Sequence, residues 1–272
     1  MKKIVNKIMN FADLVAKSHT GAYAAQSAYF FILSLIPIIL LLLTIVQYTP
    51  VTKADVMTAA VLVFPEENMQ SFIVGIVNQV YNQSRTVIPI TALVALWSAG
   101  KGVLAMNTGL NCVYEIRETR NYIILRIRAS IYTIVFIVAI VVALILSVFG
   151  NSISILVSDR FPFLEETMTA ILQMRTVISF FMMLGFSLLI YRFLPNRRDK
   201  IKHQLPGAVF TSIGWLLISF IFSMYLTIFK GFSGLYGSMT AIILVMLWLY
   251  FCMYVMLLGG LLNRIWQGRN AL

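Results

Sequence analysis

Six long apolar runs, separated by more polar segments, dominate the pattern of hydrophobic and polar positions along the chain. A helix needs about 20 predominantly apolar residues to cross a bilayer, and each run is about that long. The pattern therefore predicts an all-α fold, a polytopic membrane helix bundle with six transmembrane helices. The predicted spans are residues 28–46, 87–106, 127–149, 175–194, 206–229 and 236–262.

The segments that flank these spans are polar and basic. Residues 1–27 predict a cytoplasmic amphipathic N-terminal helix, because apolar and basic side chains fall on opposite helical faces. Such a helix is suited to lie on an anionic cytoplasmic leaflet, and packing on the protein's own cytoplasmic face is the alternative. Residues 263–272 form a predicted short cytoplasmic tail. The apolar face carries Ile4, Ile8, Phe11 and Val15, and the opposite face carries Lys3, Lys7, Asn10 and Lys17.

The turn between the fourth and fifth spans predicts the orientation of the bundle. Residues 191–207 hold five cations and one acid, and cytoplasmic loops are enriched in lysine and arginine. With both termini cytoplasmic, 16 of the 21 lysines and arginines fall on the inner side. Near anionic lipid headgroups each cation adds about 1 kcal/mol of attraction. The predicted orientation and headgroup residues are Arg192, Arg197, Arg198, Lys200 and Lys202.

Composition narrows the class of protein further. Hydrophobic residues make up 60% of the 272 positions and charged residues only 11%, which is too apolar for a soluble domain of this size. The net charge of +11 is explained by membrane orientation, so membrane lipids are the expected partners and nucleic acid is not. With two cysteines, two histidines and no phosphate-binding glycine motif, we expect no metal site, no cofactor and no enzymatic activity.

A polar stripe on the second span is the best candidate for a functional site. From Trp97 to Glu115, polar positions recur at helical spacing, and polar groups on a membrane helix are expected to face the bundle interior. The predicted site is a polar cavity open to the cytoplasm, suited to an anionic solute or a lipid headgroup. Its predicted residues are Gln26, Ser27, Lys101, Asn107, Thr108, Asn111, Glu115 and Ser219.

Structural interpretations of the same residues remain open. Lys101 can extend its charge toward water from a solvated helix end. Asn107 and Asn111 can instead form structural hydrogen bonds between helices. In the loop that follows, Glu118 and Arg120 are expected to pair with each other or with nearby arginines, and an exposed pair contributes on the order of 0 to 1 kcal/mol.

Motifs spread over nearly the whole chain resemble a known family. They are Ala28–Phe30, Leu33–Pro37, Trp97–Ala99, Asn111–Tyr114, Glu118–Arg120, Tyr191–Asn196, Leu205–Ala208, Tyr236–Ser238, Leu247–Tyr250 and Gly259–Asn263. Together they are similar to the YihY/BrkB family of bacterial inner-membrane proteins. The family usually has an acid where this chain has Leu261 and an apolar residue where it has Gln26.

The resemblance implies a protein of the bacterial plasma membrane and leaves its function open. The family was once described as ribonuclease BN, an assignment generally regarded as mistaken, and members are otherwise described as transporters or envelope factors. We expect a transporter or a lipid- or solute-handling protein, with a structural or regulatory envelope component as the alternative. A nuclease is disfavoured because six of the ten acids fall on the predicted outer side, away from cytoplasmic RNA.

Overall fold

The computed structural model describes residues 2–46, 53–54, 57–58, 74–75, 77–78, 87–148, 175–197, 199–228 and 238–268. Over these residues the chain forms seven long α-helices and a short 3-10 helix at Ile201–His203, and no strand, which confirms the predicted all-α class. The helices are α1 Lys2–Lys17, α2 Thr20–Val46, α3 Val87–Val113, α4 Tyr122–Val148, α5 Arg175–Phe193, α6 Leu205–Ile228 and α7 Ser238–Trp266.

The break between α1 and α2 lies at Ser18 and His19. Ser18 donates its hydroxyl to the carbonyl of Leu14 at 2.8 Å, and Thr20 donates to the carbonyl of Val15 at 3.2 Å. His19 adopts a left-handed backbone conformation with φ of 49°, which residues other than glycine rarely take. The polar side chains therefore satisfy the end of α1, and α2 begins at Thr20.

The chain divides into two compact units. The first contains Met1–Ile32, Gly100–Ala129 and Phe180–Leu272, and it includes all of α6 and α7. The second contains Leu33–Ala99 and Ser130–Ser179 and is built from the remaining parts of α2 to α5. Every contact of the candidate site described below lies in the first unit.

Helices α6 and α7 approach each other through two glycines. A Cβ added to Gly207 would collide with the carbonyl oxygen of Gly259 and with the amide of Asn263. The backbone N–H of Gly207 also donates to Asn263 Oδ1 at 2.7 Å. Small residues allow helix backbones to come this close, and the short distance lets an interhelical hydrogen bond form in the buried contact.

Tyr191 joins α5 to the same contact. Its side chain is fully buried, and its hydroxyl donates to the carbonyl of Met256 at 2.6 Å. The hydroxyl also shares a 2.6 Å hydrogen bond with Thr211 on α6. A buried hydroxyl needs partners of this kind, so the three helices are connected by polar contacts inside an otherwise apolar core.

The outer faces of α6 and α7 are strongly apolar. Leu205–Tyr225 and Ile242–Trp266 are long and apolar enough to cross a membrane by length and composition. Large apolar side chains point outward along both, with Phe220 65% exposed on α6 and Ile243 58% exposed on α7. In water these faces would leave extensive apolar surface exposed, whereas lipid chains would cover them.

Substitution of Gly207 tests the helix contact. We expect Gly207→Ala to destabilise the detergent-solubilised protein by roughly 1–3 kcal/mol or more, because a backbone carbonyl cannot move away as a flexible side chain can. Thermal unfolding followed by circular dichroism measures the change.

Gly185 in α5 supplies the matched control, since a Cβ there meets nothing within 4 Å. Gly185→Ala should be neutral or stabilising by up to about 1 kcal/mol through helix propensity alone. Equal effects of the two substitutions would contradict the close approach of α6 and α7.

Candidate functional site

The candidate site begins with two asparagines at the end of α3. Asn107 and Asn111 are four residues apart, so both side chains lie on one helical face, and both are buried. Each donates its amide N–H to Glu118 Oε2, Asn107 at 3.1 Å and Asn111 at 2.8 Å. The two helix residues therefore converge on one carboxylate oxygen from the loop that follows.

Arg120 holds the same carboxylate from the other side. Its Nε donates to Glu118 Oε1 at 2.8 Å and its Nη2 to Oε2 at 2.7 Å, a bidentate pair. Its backbone N–H donates to Oε1 at 3.1 Å. The predicted pairing of Glu118 and Arg120 is confirmed, and the two asparagines make the arrangement more extensive than a simple loop ion pair. We call Asn107, Asn111 and Arg120 the Glu118 cradle.

A reversal of the chain after α3 brings Glu118 back to the helix. Glu115 has φ of 53°, the left-handed conformation that commonly ends helices. The N–H of Ile116 bonds to the carbonyl of Asn111 at 2.8 Å, and that of Glu115 bonds to the carbonyl of Cys112 at 3.0 Å. This Schellman pattern usually has glycine at the left-handed position, so the glutamate there did not predict the reversal.

The basic turn after α5, within residues 191–207, is hydrogen-bonded to the cradle. The backbone N–H of Asn196 donates to Asn111 Oδ1 at 2.9 Å, and its side chain donates to Thr119 Oγ1 at 2.8 Å. Arg120 Nη2 reaches the carbonyl of Leu194 at 2.9 Å. The cradle therefore joins the end of α3, the loop before α4 and the end of α5.

Arg197 has an interior role that the charge pattern did not reveal. Its guanidinium lies 3.3 Å from the centroid of the Tyr114 ring and pairs with Asp199 at 2.8 Å. It also donates to Gln204 at 3.0 Å and to Gln267 at 3.3 Å, and its side chain is only 5% exposed. This arginine is held among protein groups rather than directed at a lipid surface.

The other predicted orientation residues differ in exposure. Lys200 and Lys202 are exposed, and Arg192 is half-buried with its guanidinium carbon 5.9 Å from the centroid of the Phe193 ring. Arg198 lies outside the described residues. Their contact with lipid headgroups stays a prediction.

Arg264 connects the end of α7 to the end of α3, which the sequence analysis also missed. Its Nη1 donates to the carbonyl of Val113 at 2.7 Å, and its Nη2 pairs with Glu115 at 2.6 Å. Arg264 is buried, whereas the Glu115 side chain is 69% exposed. A cation at the carboxyl end of α3 also interacts favourably with the helix dipole.

The predicted cavity residues differ in their contacts. Asn107 and Asn111 come together in the cradle, and Glu115 pairs with Arg264. Lys101 and Thr108 lie on the exposed side of α3, with the Lys101 ammonium 5.7 Å from the centroid of the Phe30 ring and the Thr108 hydroxyl bonded to the carbonyl of Leu104.

The three remaining cavity residues have contacts other than those of the cradle. Gln26 is exposed, and the buried Ser27 donates to the carbonyl of Tyr23 at 2.8 Å. On α6, Ser219 accepts a 3.3 Å hydrogen bond from Trp248. A single polar cavity that contains all eight residues therefore stays a prediction.

A small cleft opens beside the cradle. Its inner volume is about 10 Å³, enough for about one water molecule. Arg128, on the first turns of α4, is exposed and forms part of the cleft wall. The cleft thus combines two cations and an amide with apolar groups. Its lining includes Asn107, Arg120, Arg128, Val103, Leu125 and Leu194.

Two side chains near the helix ends have strongly shifted pKa values. Burial alone would raise the pKa of Glu118, but hydrogen bonds from Arg120 and Asn107 outweigh it and lower the pKa to about 2. Burial raises the pKa of Tyr114 to about 12, against the opposing effect of the Arg197 guanidinium. Glu118 is therefore a permanent anion at neutral pH, and Tyr114 stays protonated.

The described residues contain no group of three histidine, cysteine, aspartate or glutamate side chains that could hold a metal ion. What they contain is a set of carboxylates held by arginines and amides at the ends of apolar helices.

The helices, their outward apolar faces and the polar helix ends define an integral membrane protein. The chain belongs to the BrkB family, since the profile described as virulence factor BrkB matches residues 14–271. This finding confirms the family indicated by the sequence motifs.

The chain has relatives in several bacteria. A ribonuclease-like protein, YfkH, of Bacillus subtilis is 34% identical over 256 residues and covers 93% of each chain. A UPF0761 membrane protein of Aliivibrio salmonicida is 22% identical over 87% of this chain and 75% of its own. A UPF0761 membrane protein of Pseudomonas aeruginosa is 30% identical over 88 residues, which cover 30% of this chain and 21% of its own. No solved structure matches the chain significantly.

The pH dependence of stability tests the cradle. Because the pKa of Glu118 is lowered from 4.5 to about 2, its ionised form stabilises the fold fully above about pH 4.5, and this contribution is lost as the pH falls toward 2. We expect Glu118→Gln to lose about 1 kcal/mol at pH 7, since solvent screens the partly exposed pair, and to show a weaker decline in stability below pH 4.5.

Arg120→Lys is the conservative comparison. It keeps the positive charge and loses the bidentate geometry, so its stability at pH 7 should lie between the other two proteins. Denaturant titrations in detergent at several pH values measure all three. Parallel stability curves for wild type and Glu118→Gln would contradict the lowered pKa.

Proposed function

We propose that the protein is a six-span protein of the bacterial inner membrane, with both termini cytoplasmic, that transports or handles an anionic solute or lipid. The observation that carries the proposal is the surface beside this water-sized cleft, where the exposed Arg128 lies next to Arg120, Asn107 and an apolar wall. Cations and an amide suit an acidic headgroup, and the apolar wall suits the hydrocarbon next to it.

The contacts at the helix ends support the number of spans and their orientation. The carboxyl ends of α3, α5 and α7 are joined to one another and to the amino ends of α4 and α6 through Arg120, Asn196, Asn263 and Arg264. Because the carboxyl end of one helix lies beside the amino end of the next, successive helices run antiparallel, as consecutive membrane spans do. This shared end is rich in arginine, which favours the cytoplasmic side.

The start of α4 supports an amphiphilic ligand. Tyr122 is 61% exposed, Ile123 64% and Ile127 57%, and all three lie within two turns of Arg128. An apolar surface beside an exposed arginine is typical of the boundary between headgroups and acyl chains. A lipid whose headgroup reached the cleft could keep its chains against this surface.

The density of the polar network favours a second candidate function, a non-transporting structural or regulatory envelope component. Both Glu118 oxygens are fully engaged, and the cradle fastens three helix ends together. Such an arrangement also suits a rigid scaffold. The vesicle experiment below distinguishes the two functions.

The proposal does not include ribonuclease activity, although the name of the B. subtilis relative contains the word. At the polar end of the first unit, Glu118 faces Arg120 and Asp199 faces Arg197. A carboxylate that is neutralised by an arginine is poorly suited to bind a catalytic metal or to act as a base.

The proposed orientation is tested by cysteine accessibility. In a chain with Cys112 and Cys252 replaced by alanine, Lys202→Cys should react with a membrane-impermeant maleimide only after the membrane is opened. Lys53→Cys should react in intact cells, because it lies between the first and second proposed spans. The reverse pattern would contradict the orientation, and equal labelling of both would contradict the number of spans.

The proposed activity is tested in proteoliposomes. Wild-type protein should accelerate the transbilayer movement of fluorescently labelled phosphatidylglycerol, measured by the fraction of label that dithionite can quench over time. Arg128→Gln should lower the rate about tenfold, a loss of about 1.4 kcal/mol of favourable interaction.

Arg117→Gln removes an equally exposed cation from the neighbouring loop, outside the cleft, and should keep the wild-type rate. No acceleration by wild-type protein would favour the scaffold. Equal loss in both variants would show that general surface charge, rather than the cleft, supports movement.

A further inference from the structure

Glu118 occupies a site that has the chemistry of an oxyanion receptor. Five N–H donors converge on its two oxygens: two asparagine amides, two guanidinium N–H groups and one backbone N–H. Receptors for phosphate and carboxylate groups are built from the same donors in the same convergent geometry. The carboxylate of Glu118 therefore stands where the acidic group of a ligand would bind.

The cradle is also placed so that an external anion could reach it. Asn107 and Arg120 belong both to the cradle and to the wall of the cleft, where Arg128 adds a further cation. The Glu118 side chain is 24% exposed, so solvent already contacts it. The cleft itself holds about one water molecule, so an anion would meet these donors as Glu118 moves out of the cradle.

Glu118 is attached in a way that permits exchange. Ile116–Thr119 has no regular secondary structure, whereas the donors Asn107 and Asn111 are fixed on α3. Rotation of one side chain in a loop is a smaller change than movement of a helix. The two asparagine donors would stay in place on α3 while their occupant changed, and Arg120, although it lies in the same loop as Glu118, is also bonded to the carbonyl of Leu194.

We propose that the cradle is a binding site for an oxyanion, a phosphate or carboxylate group, and that Glu118 is its internal competitor, which must leave before the ligand binds. The inference deepens the proposed handling of an anionic solute or lipid and rests on it for its physiological role. The apparent affinity of such a site equals its intrinsic affinity multiplied by the fraction of molecules in which Glu118 has already left. The competitor thereby restricts binding to ligands that interact strongly enough to displace it.

Removal of the competitor is the direct test. Full-length protein in detergent micelles is titrated calorimetrically with inorganic phosphate and, separately, with phosphatidylglycerol, with phosphatidylcholine as the zwitterionic comparison. We expect Glu118→Ala to bind at least one of the two anions on the order of tenfold more tightly than wild type, and to lose this gain in the Glu118→Ala/Arg120→Ala double variant. A gain for both anions would indicate that the phosphate group suffices, and a gain for phosphatidylglycerol alone would identify a lipid ligand.

Asp199→Ala is the matched control, because it also removes a carboxylate paired with an arginine at the same end of the first unit. It changes the net charge equally but leaves the cradle intact, so it should not increase anion affinity. If Glu118→Ala elutes as an aggregate in size-exclusion chromatography, Glu118→Gln replaces it, and a smaller gain is expected because the amide still occupies the cradle. No gain in the folded variant, or an equal gain in Asp199→Ala, would overturn the inference.

The result is separable from that of the vesicle assay. Anion binding that depends on Glu118 without any lipid movement would contradict the proposed transport and retain the binding site. Lipid movement with an unchanged anion affinity in Glu118→Ala would retain the proposed function and overturn the internal competitor.

Discussion

The cost of leaving a polar group unsatisfied among apolar helices constrains the described part of the molecule most strongly. A carboxylate that is partly withdrawn from water needs hydrogen-bond partners, and burial alone would raise the pKa of Glu118. Hydrogen-bond donors from α3 and Arg120 converge on the carboxylate and keep it ionised. Once Glu118 is fixed, the end of α3, the following loop and the end of α5 are fixed with it.

The same requirement recurs across the polar end of the first unit. Arg264 caps the carbonyl end of α3, Asn263 satisfies the N–H of Gly207, and Tyr191 bonds to α6 and α7. Each of these groups sits at a helix end or at a close helix contact. The polar contacts therefore set which helix ends meet, while the apolar faces remain directed outward. The polar end therefore determines how the helices are arranged, whereas the lipid-facing surface needs only to be apolar.

The sequence predicted the class of the molecule better than its site. Apolar run length predicted the helices, because that signal depends on composition over many residues. The pairing of Glu118 and Arg120 could also be predicted from the sequence, since opposite charges two residues apart in a loop can meet locally. The roles of Arg197 and Arg264 were not, because their partners Tyr114, Gln204 and Val113 are brought close only by folding. The reversal at Glu115 was hidden because glycine usually takes that conformation.

We have proposed that the polar end of this membrane protein receives an acidic group. Native mass spectrometry of the full-length protein, released from micelles after mild purification from its own membrane, tests that claim most directly. We predict that wild-type protein retains a bound molecule bearing a phosphate or carboxylate group, and that Arg128→Gln retains markedly less of it while Arg117→Gln retains the same amount. Wild-type protein that carries no such molecule, or carries it equally in Arg128→Gln, would contradict the account.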